Sequence, residues 1–338
     1  MRNAIKILAF GVSIFGILAL NKSHRTPIYF EVPKSWPKPH YDFSKNPITE
    51  QGFQLGRQLF YDPILSRDST ISCASCHLQA TGFTHVDHDL SHGIDGKIGT
   101  RNSMALVNLA WKKNFLWDGG SNHLDMQPLN PITSPFEMDE TLEHVVSKLQ
   151  KSEKYTHLFD EAFGTTKITG QLTLQALSQF MLMLKSSNSK YDKVMRHEET
   201  FNENEQKGYG LFKQKCASCH NEPLFTSDRF EYNGLLIDTT LNDIGRMKIT
   251  NDQDDYMRFK VPTLRNVQFT FPYMHDGRFK TLNEVIKHYN AIQKGKGIPK
   301  QLAEPMQLTA NDRSDLVAFL KTLTDNEFLF DPRFSFPK

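Results

Sequence analysis

The sequence predicts a mostly α-helical protein made of two similar domains in tandem, each with long loops. The pentapeptide Cys-Ala-Ser-Cys-His occurs twice, at residues 73–77 and 216–220. A Gly-x-x-Leu-Phe segment precedes each copy, at 56–60 and 208–212, within a polar and apolar pattern of helical period. Little of the remaining chain alternates with the period of a β-strand. Because the motif recurs together with its upstream helix, it indicates a duplicated structural unit.

The first 22 residues have the pattern of an export signal. Arg2 and Lys6 form a basic start, and an apolar run extends from residue 7 to 20. The run is short for a membrane-spanning helix, so we expect cleavage, with an uncleaved N-terminal anchor and membrane tether as the alternative. In either case the rest of the chain is expected in the periplasm.

Composition sets further bounds on function. Hydrophobic residues are 38% of the 338, enough for an ordinary core, and the formal net charge is only +2. A chain with so little net charge has no strong field toward nucleic acid or an anionic membrane. No nucleic-acid partner is therefore expected.

The four cysteines predict haem attachment. Cysteines of an exported protein normally form disulfides, but here each belongs to a C-x-x-C-H motif. In this motif the two thiols bond to the vinyl groups of a porphyrin and the imidazole binds the iron. The sequence therefore predicts two covalently bound haem c groups. Their predicted attachment residues are Cys73, Cys76 and His77 for the first haem, and Cys216, Cys219 and His220 for the second.

The Gly-x-x-Leu-Phe helices resemble the N-terminal helix of a cytochrome c fold. We therefore predict two tandem cytochrome-c-like domains with long haem-wrapping loops, at residues 23–185 and 186–338. The segment 311–323 predicts an amphipathic helix with Leu316, Phe319, Leu320 and Leu323 on one face. The segment 172–184 has few polar residues and predicts a helix buried between the domains.

Two stretches carry a more specific resemblance. Residues 101–138 contain RN, WDG and a Gln-x-x-x-Pro-x-x-x-x-x-Glu-Met pattern, and residues 259–290 contain VPTLRN, PYMHDG and TL in order. With these motifs the chain resembles the bacterial di-haem cytochrome c peroxidase family and its MauG-like branch. The resemblance implies that the N-terminal haem reduces hydrogen peroxide and the C-terminal haem relays electrons. The electron source would be an exported small cytochrome or cupredoxin, or the side chain of a protein substrate.

The resemblance also implies roles for single residues. Glu137 matches the acid/base that moves a proton between the peroxide oxygens, and Gln127 and Pro131 match its companions in the distal pocket. Trp117 matches the tryptophan between the haems. From local sequence alone, a helix start is the favoured interpretation of Glu137, and only its matched spacing from Gln127 and Pro131 favours the distal role. Trp117 could also be an ordinary core residue.

A calcium ion is implied as well. Asn102, Thr270 and Pro272 match its side-chain and carbonyl ligands, and oxygen donors suit this hard cation. This expectation rests on the resemblance alone.

The distal ligand of the second haem is Met or Tyr in this family, and the matching residue is Tyr289. A tyrosinate favours ferric iron and lowers the reduction potential, as in the MauG-like branch. Met274 and Met306 remain alternatives, and Tyr289 could also be a surface residue of its helix.

At the first haem, the position of the distal histidine in classical members is occupied by Ile94, which cannot bind iron. The sequence therefore predicts an open first haem. His85, His88 and His92 lie nearby, so a shifted ligand is an alternative. Gly120 is a second departure, since many members have arginine there. A di-haem electron-transfer cytochrome without peroxide chemistry is the alternative function.

Overall fold

The computed structural model describes residues 25–292, 297–299, 302 and 306–337. The predicted export signal, residues 1–22, lies outside the described residues. Twelve α-helices are described: α1 Glu50–Tyr61, α2 Cys73–Cys76, α3 Leu129–Thr133, α4 Leu142–Gln150, α5 Glu153–Phe163, α6 Gly170–Leu182, α7 Lys190–Met195, α8 Glu203–Lys215, α9 Met247–Thr250, α10 Leu282–Ala291, α11 Ala310–Lys321 and α12 Asn326–Phe330.

Short 3-10 turns and two small strands complete the described elements. The turns are Pro63–Leu65, Gln79–Thr81, Ile94–Gly96, Leu109–Trp111, Leu124–Met126, Gln253–Asp255 and Pro332–Phe334. Strand β1, Phe230–Glu231, pairs antiparallel with β2, Phe259–Lys260, so that Phe230 lies opposite Lys260. The fold is therefore mostly helical, as predicted. No helix among the described residues is long and apolar enough to cross a membrane.

The described residues form two large hydrophobic cores and a small third cluster of Trp117, Met257 and Phe259. The first gathers apolar side chains from α1, α4, α5 and α6. The second gathers them from α7, α8, α10 and α11. The predicted face of the helix at 311–323 is confirmed, since Leu316, Phe319, Leu320 and Leu323 are all buried in α11 or just after it.

Each core has the same close helix pair at its centre. Helix α1 crosses α6 at Gly56, where a Cβ atom would overlap the carbonyl of Ala176. Helix α8 crosses α11 at Gly208, where a Cβ atom would overlap the carbonyl of Asp315. The glycine of each Gly-x-x-Leu-Phe segment thus lets two helix backbones touch. Helix α6 was expected between the domains, but it packs against α1 inside the first core.

The C-terminal segment differs from the predicted domain division. The boundary after residue 185 assigns the last residues to the second domain. In the structure, Phe328, Leu329 and Phe334 are buried in the first core. The segment is fixed there by the Tyr61 hydroxyl, which donates to the Phe334 carbonyl at 2.7 Å, and by Gln79, whose side-chain N–H donates to the Asp331 carbonyl at 2.8 Å. The apolar side chains are buried because the chain returns across the first domain.

Two glycines of α8 allow a matched test of this packing. We expect Gly208→Ala to lower the free energy of unfolding by about 1–3 kcal/mol, because the methyl group forces α8 and α11 apart. Gly210, on the same helix, has nothing within 4 Å of an added Cβ. Gly210→Ala should therefore raise stability by up to about 1 kcal/mol through helix propensity. Denaturant unfolding of both variants checks this, and equal effects would contradict the close crossing.

Candidate functional site

The first attachment motif opens into a cavity beside α1 and α6. Cys73 and Cys76 are free thiols on the one-turn helix α2. His77 ends that helix, and its Nδ1 lies 2.7 Å from the Phe83 carbonyl. With Nδ1–H donated to this carbonyl, Nε2 is the nitrogen left for a metal. Burial lowers the pKa of His77 to about 4, so the imidazole is neutral and its lone pair is available.

The three distal residues predicted from the sequence lie together in this same cavity. Gln127, Pro131 and Glu137 line it with Cys73, Cys76 and His77. Helix α3 and the turn after it set their positions, since the Pro131 carbonyl accepts from the Met138 backbone N–H at 3.1 Å. Burial raises the pKa of Glu137. A carboxyl with a raised pKa, placed in a cavity, suits proton transfer.

The loop before these residues places a histidine, and not Ile94, at the cavity. Ile94 is fully buried, and its backbone N–H donates to the Glu137 carbonyl at 2.8 Å. His92 lines the cavity two residues earlier. The His88 ring stacks on His92 with centroids 3.9 Å apart, and His85 stacks on His88 at 5.0 Å. Of the three nearby histidines, His92 is therefore the one that faces the first cavity.

The second attachment motif follows α8 and lines a larger cavity with Cys216, Cys219 and His220. His220 Nδ1 lies 3.2 Å from the Phe225 carbonyl and 3.1 Å from the Pro262 carbonyl. Burial lowers the pKa of His220 to about 4. The two histidines are thus held in the same way, with Nε2 free for iron.

All three candidates for the distal ligand of the second haem line this cavity: Tyr289, Met274 and Met306. Tyr289 lies on α10, and burial raises the pKa of its phenol. The side-chain N–H of Asn233 points to the Met274 sulfur at 3.4 Å. The sequence did not single out Asn233, which follows strand β1 and has no motif to mark it.

Trp117 borders the second cavity from the first half of the chain. It is 9% exposed, and its Nε1–H donates to the Asn102 carbonyl at 2.9 Å. Its own carbonyl accepts from the Lys260 backbone N–H at 2.7 Å. The first cavity comes close to this wall, because Thr84 lines the second cavity and directly follows Phe83, the carbonyl partner of His77.

An ion-pair network joins the two halves beside Trp117. Arg101 Nη1 lies 2.6 Å from Asp118 Oδ2, and its Nε and Nη2 contact both carboxylate oxygens of Asp243 at 2.6 and 2.8 Å. Asp118 and Asp243 are both buried. A bidentate pair of this kind fixes geometry as well as charge. It therefore holds the Trp117 segment against the second half.

The three residues predicted to bind calcium also line the second cavity: Asn102, Thr270 and Pro272. The Asn102 side-chain N–H donates to the Asp89 carbonyl at 3.0 Å, which leaves its amide oxygen as an acceptor. The structure thus places three oxygen-bearing residues in the lining of the same cavity.

Several charged residues of the second cavity were missed by the sequence reasoning. Lys112, Lys215 and Lys260 all line it. Lys260 lies between Phe259 and Val261, which are both buried. A lysine between two apolar residues was a signal in the sequence that could have marked Lys260 as a candidate site residue.

Both cavities fit a covalently attached haem. Each has two free thiols on one side and a neutral imidazole with an available nitrogen, walled by apolar helices. The two sites share no ligand, as expected for two separate groups.

Comparisons with known proteins agree with this arrangement. A family model for the di-haem cytochrome c peroxidases matches residues 50–200, and a cytochrome c model matches residues 205–324. Methylamine utilization protein MauG of Methylorubrum extorquens is 36% identical over 308 residues, which cover 87% of this chain and 83% of that protein. The chain belongs to the di-haem cytochrome c peroxidase family. Membership implies two haem c groups and an oxidoreductase of the cytochrome c peroxidase type.

Other members of the family show the same extent of similarity. Cytochrome c551 peroxidase of Nitrosomonas europaea is 33% identical over 289 residues, covering 84% of this chain and 82% of that protein. The crystal structure of a MauG-like protein associated with microbial copper homeostasis has a TM-score of 0.82 and 33% identity, covering 92% of this chain and 99% of that one. Both branches of the family are therefore similar to this chain along most of its length.

Proposed function

We propose that this protein is a MauG-like di-haem peroxidase that reduces hydrogen peroxide at the N-terminal haem. Electrons would reach it through the C-terminal haem from an exported small cytochrome, a cupredoxin or a protein substrate. The observation that supports this most is the meeting of Gln127, Pro131 and Glu137 with the first attachment motif in one cavity. An electron carrier has no need of a half-buried carboxyl there.

Glu137 has the position and the proton affinity for the acid/base role. The bound haem iron would supply the site where peroxide is reduced. Glu137 would take a proton from one peroxide oxygen and return it to the leaving oxygen. Its pKa is raised by burial, so its carboxyl keeps a proton up to a higher pH than an exposed glutamate does. Gln127 would orient peroxide by hydrogen bonding.

Trp117 is proposed as the electron route between the halves. Its ring lies at the wall of the second cavity, and its Nε1–H is fixed on the Asn102 carbonyl. The Arg101 network on the neighbouring residue Asp118 keeps this segment in place. A buried, immobile indole needs little rearrangement when it passes an electron.

Access to the first haem is proposed to be open. Ile94 cannot bind iron, which favours an oxidised protein that meets peroxide without prior reduction. His92 lines the cavity and is the alternative distal ligand. We further propose a periplasmic location, supported by the apolar run at residues 7–20.

The role of Glu137 predicts a large kinetic effect. Glu137→Gln should lower peroxide turnover by about 10²–10⁴-fold, because the amide cannot transfer the proton. Stopped-flow spectra after one equivalent of peroxide check this, with haem content as the control. Glu137→Asp should keep part of the rate. Unchanged turnover in Glu137→Gln would support the electron-carrier alternative.

The same residue sets a pH dependence. The base form of Glu137 is lost as pH falls through its folded-state pKa, and burial raises that pKa above the ordinary 4.5. The fall of the peroxide-reduction rate at acidic pH should therefore be centred above pH 4.5 in the natural protein. It should be missing from the residual rate of Glu137→Gln.

If peroxide reacts only after reduction, His92 caps the iron, and His92→Gly should remove that requirement.

Tyr289 predicts the properties of the second haem. Tyr289→Met should raise its midpoint potential, since a thioether favours ferrous iron more than a phenolate does. Tyr289→Phe should change its ferric spectrum by removing the ligand. Spectroelectrochemical titration measures both. A Tyr289→Phe protein with an unaltered second haem would assign the ligand to Met274 or Met306.

Calcium is proposed between Asn102, Thr270 and Pro272. Elemental analysis should find one calcium per chain, and Asn102→Ala should lose it. Chelation should alter the haem spectra, and calcium should restore them more effectively than the smaller magnesium ion. Spectra that ignore both the chelator and Asn102→Ala would contradict the site.

A further inference from the structure

The second cavity has a cluster of lysines that the proposed peroxide chemistry does not use. Lys260 is only 2% exposed, and Lys112 and Lys215 line the same cavity. A lysine is almost never fully buried unless its charge is paired. The ammonium group of Lys260 therefore needs a negative partner.

The acidic groups that face the cluster do not supply enough charge. Asp228 Oδ1 lies 3.9 Å from Lys260 Nζ, beyond hydrogen-bond distance, and the same oxygen accepts from the Lys113 backbone N–H at 3.3 Å. Glu231 also lines the cavity, but Arg229 and Arg258 approach it at 3.4 and 3.6 Å. Among the described residues, no carboxylate lies within ion-pair distance of Lys112. The cluster thus keeps an excess of positive charge.

Lys260 also disfavours the charged form of Lys112 in the protein alone. Burial, with a further contribution from Lys260, lowers the pKa of Lys112 to about 7, and Asp228 opposes this shift. Burial also lowers the pKa of Lys260, with Asp228 opposing it. An anion in the cavity would keep both groups charged.

We propose that Lys112 and Lys260 bind the propionate carboxylates of the C-terminal haem. Carboxylates are the anions that a haem c brings into its cavity, and ammonium groups bind them through charge-assisted hydrogen bonds. Lys260 is held close to the predicted iron ligand His220. Its backbone N–H donates to the Trp117 carbonyl, and two residues later the Pro262 carbonyl contacts His220. This inference concerns the seating of the haem and does not depend on peroxide reduction.

The first cavity offers an internal comparison. Among its described lining residues there is no lysine or arginine, and its ionisable groups other than the attachment residues are His92 and Glu137. The lysine cluster therefore distinguishes the two haem sites electrostatically. It should raise the reduction potential of the second haem alone, because nearby positive charge favours the ferrous form.

Midpoint potentials test the proposal without measuring activity. Lys112→Met and Lys260→Met should each lower the potential of the second haem, the double variant should lower it further, and the first haem should not change. Lys260→Arg keeps the charge and should retain the natural potential. Lys207→Met, which removes an exposed lysine of α8 paired with Glu203, is the matched control and should have no effect.

The pH dependence of the potential separates binding from mere proximity. A propionate that loses its ammonium partner in a buried site should take up a proton on reduction, so the variants should show a steeper dependence than the natural protein. Unchanged potentials and slopes in both methionine variants would overturn the proposal. Haem loss in Lys260→Met but not in Lys260→Arg would support it. Equal haem loss in Lys260→Met and Lys260→Arg would mean that Lys260 contributes packing and not charge. In that case, an unaltered pH dependence of the potential in Lys112→Met would overturn the proposed role of Lys112 as well.

Discussion

The fixed orientation of the two proximal imidazoles is the constraint on which the rest of the structure depends. The first C-x-x-C-H motif ties its histidine to the short helix α2, and the second ties it to a turn after α8, but each ring can still rotate. Backbone carbonyls stop that rotation: Phe83 holds His77, while Phe225 and Pro262 hold His220. The loops after each motif must therefore fold back toward it. Each cavity then forms between that loop and the paired helices behind it.

The paired helices explain why the duplicated units keep the same small residue. Gly56 and Gly208 let the first helix of each unit touch the backbone of a later helix. Close contact brings Phe60 and Phe212, four residues further on, into the two cores. The two units differ away from this helix pair. The C-terminal segment packs into the core of the first unit, whereas the lysines and Tyr289 line the cavity of the second.

The two cavities are chemically different although their attachment sites are alike. The first is mostly apolar with one half-buried carboxyl, whose raised pKa suits proton transfer. The second is lined by lysines, thioethers and a phenol, which suit control of a redox potential. Trp117 and the Arg101 ion pairs lie where the halves meet. These different surroundings support the proposed division of labour between peroxide reduction and electron supply.

The haem attachment residues, the duplicated units and the spacing of Gln127 and Glu137 could be predicted from the sequence, because these are local patterns with fixed chemistry. Which side chains share a cavity could be seen only in the folded chain. It placed His92 and not Ile94 at the first haem site, because the backbone of Ile94 is bound to that of Glu137. It also brought together Lys112 and Lys260, which are far apart in the chain. Such contacts depend on long-range packing, which no local pattern records.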